Sequence, residues 1–234
     1  MVVNRIENRI KDYLDGDYQL HEVTNFPNRY NINYGKHAYK TKICVFSIDL
    51  RNSTKLLFKE GKANSGKVHK AFLNVIAEVI NNYRGEIRDF QGDSVLAFWS
   101  ADKEGINSAV RASLAVNWFF SKKLVEHFKP YNGINFGIGI DFGDIYILKV
   151  GITSTDNNND LVYIGKCVNF AVGIANRLSD PYCIGISKAI YSSLKEDMIF
   201  TKKDDQKINM WNNYNFKWKD EDVEIFRTNY RWGI

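Results

Sequence analysis

Apolar positions along the chain switch between two periods, and each switch marks an element. Val2, Val3, Ile6, Ile10 and Leu14 recur at helical spacing, and Gly16 closes that run. The stretch that follows, to about Tyr39, has little periodicity and contains Pro27, Asn28 and Gly35; it predicts an extended lead-in. Residues 42–49 predict a buried strand, with one lysine followed by Ile43-Cys44-Val45-Phe46. The strand ends in a polar turn, Leu50-Arg51-Asn52-Ser53-Thr54. A polar, glycine-bearing connector over 61–66 leads to a helix over 67–83. Val68, Phe72, Val75, Ile76, Val79 and Ile80 share one face of it, and Gly85 sits at its C-cap. Residues 86–90 and 94–99 predict two strands joined at Gly92-Asp93.

No internal repeat is visible, and the second half opens on another helix. Residues 103–128 predict a long helix with Ala109, Ala112, Leu114, Val116, Phe119 and Phe120 facing inward, stopped by Pro130 and Gly133. Residues 134–141 and 145–150 predict a hairpin around Gly143-Asp144, and the polar run 153–160 a loop. A strand over 161–164, a helix over 167–178 and a strand over 184–187 follow, with Ser187 capping a short helix to 194. A tryptophan- and lysine-rich loop over 211–222 precedes a last strand over 223–230. The order strand–helix–strand–strand–helix–strand predicts an α+β, ferredoxin-like sheet, mainly antiparallel, with the two long helices on one face. The other face is left for a partner or a cleft. Residues 1–40 form a helix and lead-in, and 41–234 the main domain.

Composition narrows the partners little. The 234 residues are 44% hydrophobic and 25% charged with a net charge of +5, which suits a polyanionic small ligand as well as nucleic acid. Three cysteines without close spacing, Cys44, Cys167 and Cys183, predict reduced, packed thiols in a cytosolic protein. Four scattered histidines give no zinc spacing. No apolar run is long enough to span a membrane.

The candidate chemistry lies at the strand ends. Asp49 closes the first strand, and Asp93 sits at the tip of the following hairpin. Each alone is as well explained by an Asx turn or a cap. The predicted topology sets that strand beside the hairpin, so the two carboxylates share one end of the sheet. Unpaired, they would repel at a cost of several kcal/mol, and a hard dication with oxygen ligands, magnesium or manganese, relieves this. The backbone from Leu50 to Thr54 supplies N–H groups and hydroxyls for a phosphate. Arg51 and Arg88 flank the two motifs, and Lys217 and Lys219 lie in the late polar loop; all four are candidates to neutralise phosphate charge, or ordinary surface cations.

Four motifs in order carry a resemblance. Phe46-Ser-Ile-Asp49, Gly85 through Gly92-Asp93, Phe136-Gly-Ile-Gly-Ile-Asp-Phe-Gly143 and Gly165-Lys-Cys-Val-Asn169-Phe-Ala171 resemble the successive motifs of class III nucleotidyl cyclases over about 40–230. The resemblance implies a head-to-tail homodimer with each site at the subunit interface. It implies two divalent metal ions, Mn2+ or Mg2+, on Asp49, Asp93 and the Leu50 carbonyl. It implies substrate contacts along Phe46 and Leu50-Arg51-Asn52-Ser53-Thr54, and a ribose contact from Asn169 of the other subunit.

The departures from the family matter equally. Purine cyclases carry a Lys three residues before the Gly of Gly-Asp, here Asp89, and an Asp or Thr seven residues before the Asn, here Val162. Both purine-reading groups are missing, which disfavours ATP and GTP. The transition-state Arg falls four residues after the Asn, here Gly173, and Arg177 one turn further is the candidate substitute. Asp49-Leu-Arg-Asn-Ser53 together with Pro27-Asn-Arg29 is similar to the bacterial pyrimidine cyclases of Pycsar antiphage systems. That similarity implies cyclic UMP or cyclic CMP as product and a separate effector protein that the cyclic nucleotide switches on. It implies neither a nucleic-acid partner nor a membrane span. A purine cyclase with an altered pocket, and a degenerate module that binds nucleotide without turnover, stay open. A polymerase-palm relative is disfavoured, because Gln91-Gly92-Asp93-Ser94 is not a Gly-Gly-acid-acid-Phe turn.

Overall fold

A computed structural model describes residues 2–131, 133–152 and 158–233. In chain order the elements are α1 (Val2–Leu14), β1 (Gln19–Glu22), β2 (His37–Leu50), α2 (Ser53–Asn82), β3 (Glu86–Gln91), β4 (Ser94–Ser100), α3 (Lys103–Trp118) and α4 (Val125–Phe128). There follow β5 (Phe136–Gly151), β6 (Asn159–Ile164), α5 (Lys166–Arg177), β7 (Ile184–Ser187), α6 (Lys188–Ser193), α7 (Glu196–Ile199), β8 (Phe200–Lys203), β9 (Gln206–Asn209), β10 (Asn212–Trp218) and β11 (Glu221–Thr228). The chain divides into two compact units, Met1–Lys42 with Asp144–Lys166, and Ile43–Gly143 with Cys167–Ile234. β2 and β5 each run from one unit into the other.

The larger unit is built on the strand path β10-β11-β7-β5-β2-β4-β3. Its β5-β2-β4-β3 portion, with α2 between β2 and β3 and α3 after β4, is the ferredoxin-like order expected from the sequence. β2 pairs antiparallel with β4, whereas β5 pairs parallel with β7. The start of β5 shows how the sequence fills both faces of the sheet, because successive side chains point to opposite sides. Phe136, Ile138 and Ile140 enter the main core with Phe72 and Ile76 of α2 and Ala109 and Val116 of α3. The alternate positions are glycines. A Cβ on Gly139 would lie 2.6 Å from the Ala175 backbone nitrogen, so α5 packs flat against the strand only because nothing projects there. The expectation of helices on one face is therefore corrected: α5 covers the second face beside a smaller cluster of Ile174, Leu178, Phe216 and Ile225.

Other expectations shift locally. The connector over 61–66 is helix; α2 runs for 30 residues, and only Gly61, at φ 75°, breaks its geometry with a kink. Gly143-Asp144 is no turn, since β5 passes through it as one 16-residue strand. The hairpin lies one strand later, where β5 pairs antiparallel with β6. Of the polar run 153–160, residues 153–157 lie outside the described residues, and Asn159 and Asp160 already belong to β6. The loop over 211–222 is mostly β10, and its hairpin with β11 turns at Lys219 and Asp220, both at positive φ. β1, β8 and β9 had no clear sequence signal.

In the smaller unit β1 pairs parallel with the start of β2. α1 forms over the residues its pattern predicts, yet none of them is buried. The three cysteines are buried and none is in a disulfide. Burial pushes the Cys183 thiol up to about 12, and burial first, then the neighbouring Asp141 and Cys167, raises that of Cys44. Both act as small packed apolar groups rather than nucleophiles. Among the described residues no helix is long and apolar enough to cross a membrane.

Candidate active site

β2 carries its apolar run to the point where the sheet opens, and the register with β4 sets Asp49 opposite Ser94. The Ser94 hydroxyl donates to Asp49 Oδ1 at 2.5 Å, and Arg51 Nη1 donates to Oδ2 at 2.6 Å. Asp93 immediately precedes Ser94, at a tip turned by Gly92 with φ 64°. The two carboxylates thus belong to one strand end, as the topology predicts. Each Asp49 oxygen accepts one of these bonds and keeps a further lone pair. Among the described residues no three His, Cys, Asp or Glu side chains cluster as a metal site. A cation here would rest on two carboxylates supplemented by backbone and ligand oxygens. That all-oxygen donor set fits Mg2+ or Mn2+ and excludes a thiolate or imidazole metal.

The turn after Asp49 is tighter than expected. Leu50 ends β2 with its side chain buried, and Arg51 and Asn52 make the turn, Asn52 at φ 60°. Ser53 and Thr54 already lie in the first turn of α2, and Asn52 makes no side-chain cap bond to it. The N–H groups of that turn thus carry the partial positive charge of a helix N-terminus without a capping side chain. A cavity of about 470 Å3 opens beside the turn, lined among others by Leu50, Asn52, Lys55, Lys59, Tyr131 and Asn135. Lys55 and Lys59 were missed in the sequence because the helix was expected to begin only at 67. Their i,i+4 spacing puts both on one face of α2, and that spacing is the signal that could have found them.

Several candidate residues sit elsewhere. Phe46 is fully buried, packed with Trp99 at 5.7 Å between ring centroids. It belongs to the core and cannot touch a substrate, which corrects its assignment. Arg88 is not free to neutralise phosphate. Its side chain is 8% exposed, bonded to Glu86 and set over the Phe98 ring. Asp89 is exposed on β3, just past an irregularity in the pairing with β4. Val162 lies in the smaller unit, on β6, and is exposed.

α5 places Asn169, Gly173 and Arg177 at i, i+4 and i+8, one face of a helix. Asn169 is exposed. Gly173 is closed off: a Cβ there would lie 2.6 Å from Trp218 Nε1 and 3.0 Å from Cδ1. The indole of Trp218, packed edge-on against Phe170, fills the space that a side chain at 173 would need. Arg177 is not an unengaged cation. Its guanidinium donates to the Lys217 carbonyl at 2.8 Å and lies over the Phe216 ring. Gly173→Arg is therefore expected to cost about 1–3 kcal/mol of stability by overpacking, read as a lower urea midpoint. A variant as stable as wild type would show that Trp218 yields freely.

No family model matches the chain. A uridylate cyclase from Burkholderia cepacia is 23% identical over 94% of this chain and 93% of its own length. A cytidylate cyclase from Staphylococcus aureus is 27% identical over 63% of this chain and 38% of its own. Among solved structures, the adenylyl cyclase CyaB from P. aeruginosa superposes with a TM-score of 0.66 at 21% identity, covering 82% of this chain and 95% of its own. The fold is that of the class III cyclases.

Proposed function

We propose that this chain is a nucleotidyl cyclase that converts a pyrimidine nucleoside triphosphate, UTP or CTP, to its 3′,5′-cyclic monophosphate. In that reaction the 3′-oxygen attacks the α-phosphorus, the bond to the bridging oxygen breaks, and pyrophosphate leaves. The observation that carries the reading is the pairing of β2 with β4, which sets Asp49 beside the Gly92-Asp93 tip. Beside its bonds to Arg51 and Ser94, each Asp49 oxygen keeps a lone pair that a divalent ion could share with Asp93. Relatives named for uridylate and cytidylate cyclisation support the substrate class. So do an acid at position 89 and an apolar side chain at 162, where the family's purine readers would stand. When bound, two divalent ions, Mn2+ or Mg2+, on Asp49, Asp93 and the Leu50 carbonyl would acidify the 3′-hydroxyl and offset charge on the departing pyrophosphate.

The chain's own groups do the rest. The first-turn N–H groups of α2 at Ser53 and Thr54 donate to the phosphate oxygens. Lys55 and Lys59 face the same cavity and balance the triphosphate charge. Asn169 orients the ribose, from the α5 of a second copy in a head-to-tail homodimer. The product is a second messenger for a separate effector, as in an antiphage system.

The test is incubation of the purified protein with Mn2+ and each of ATP, GTP, CTP and UTP, with products identified by mass. Cyclic UMP or cyclic CMP in clear excess over purine products is expected. The closed position at Gly173 favours one second reading, a module that binds nucleotide without turnover. That reading predicts bound nucleotide and no cyclic product from any of the four.

A further inference from the structure

Arg51 stands two residues after Asp49 and was a candidate phosphate ligand. Its side chain instead turns into the fold and is only 18% exposed. Besides Nη1 on Asp49 Oδ2 at 2.6 Å, Nε donates to the Leu178 carbonyl at 2.9 Å and Nη2 to the Ala175 carbonyl. Its backbone N–H is held as well, by the Asn135 carbonyl at 2.7 Å. Ala175 and Leu178 flank the end of α5, where carbonyls gather the partial negative charge of a helix C-terminus, and the Ala175 carbonyl also accepts from the Leu178 N–H at 3.3 Å. A planar guanidinium satisfies two such carbonyls and a carboxylate together, which a lysine ammonium on a flexible stem does not match. The sheet makes room for this. A Cβ on Gly137 would lie 2.5 Å from Arg51 Nη2 and collide with the Ala175 carbonyl oxygen.

We propose that Arg51 is a positioning residue for the cation site. It braces the Asp49 carboxylate against the C-terminal end of α5, with Ser94 holding the other oxygen, so that the remaining lone pairs stay aimed at the hairpin tip. The proposal rests on the metal-dependent reading given above. Arg51 also lines the cavity beside the turn, so a phosphate contact is the rival role, and the two roles predict different defects. Gly137 belongs to the same device, as the vacancy through which the guanidinium reaches α5.

The test is Mn2+ binding to the full-length, nucleotide-free protein, measured by calorimetry for wild type, Arg51→Met, Arg51→Lys and Gly137→Ala, each with its melting temperature. Arg51→Met is expected to weaken Mn2+ binding at least about tenfold, in line with other outer-shell partners of metal ligands. In turnover it lowers kcat far more than it raises KM for the triphosphate. Arg51→Lys recovers part of the loss, and Gly137→Ala reproduces the Arg51→Met defect with the arginine still in place. Should Arg51→Met unfold, Arg51→Lys and Gly137→Ala carry the comparison. Mn2+ affinity within twofold of wild type in a folded Arg51 variant, with the defect in KM alone, would overturn the proposal and make Arg51 a phosphate ligand. A wild-type protein that takes up no Mn2+ would overturn the cation site itself, a separate failure visible in the first titration.

Discussion

Asp49→Asn is expected to lower cyclic-nucleotide formation by at least about 10^3-fold, equivalent to about 4 kcal/mol of transition-state stabilisation, in a protein that still folds. The amide keeps the size of the carboxylate and can still accept from Ser94, so the end of β2 stays in place. What disappears is the charge that a divalent cation needs and the anionic partner of Arg51 Nη1. The stability cost is set by that one charge-assisted hydrogen bond, about 1–3 kcal/mol, and stays at the low end because both side chains keep some solvent contact. Asp93→Asn at the hairpin tip is expected to lose activity on the same scale. Product mass, read beside a melting curve, checks both. An Asp49→Asn protein with a tenth of wild-type activity would mean that the carboxylate is no more than a turn residue.

Phe46→Ala is expected to cost about 3–5 kcal/mol of stability, a large share of what holds a domain folded. Phe46 is fully buried on the central strand, in the cluster that contains Trp99, Phe72 and Ile76. Truncation leaves a cavity in packing that cannot close around it. Phe46→Leu refills much of that volume and should fold with KM near the wild-type value. Urea denaturation measures the first effect and steady-state kinetics the second. A Phe46→Ala protein within about 1 kcal/mol of wild type, with a raised KM, would return Phe46 to the substrate site.

The contrast between Phe46 and Asp49 shows what was legible in the sequence. The apolar run through Phe46 and the polar turn after it fixed where the strand ends, and the hairpin pattern supplied its neighbour, so the carboxylate pair could be placed before any coordinates. Position within a motif did not tell which side chains face inward. Phe46 and Arg88 sit beside motif residues yet point into the fold, and only the register with β4 decides that. Glycines misled twice, for different reasons. Gly61 looked like the start of a loop but costs α2 only a kink, because helix resumes on both sides of it. Gly143 looked like a turn, yet the strand needs it extended, close to the Cys167 side chain of α5. The anchoring of Arg51 on Ala175 and Leu178 links residues more than 120 positions apart. No local pattern carries such a link. The same holds for Trp218 over Gly173, which explains in packing terms why the family's arginine has no room here.

In the proposed enzyme, each site would join the Asp49–Asp93 end of one copy to the α5 face of another. Co-expression of Asp49→Asn chains with Asn169→Ala chains tests it. Alone, each variant spoils both sites of its homodimer. Together they form mixed dimers in which one site has two defects and the other has none. Random pairing makes half the dimers mixed, each with one intact site of two, so about a quarter of wild-type cyclic-nucleotide output is predicted from symmetric association. Output from the co-expressed pair no greater than the sum of the two variants alone would contradict the account.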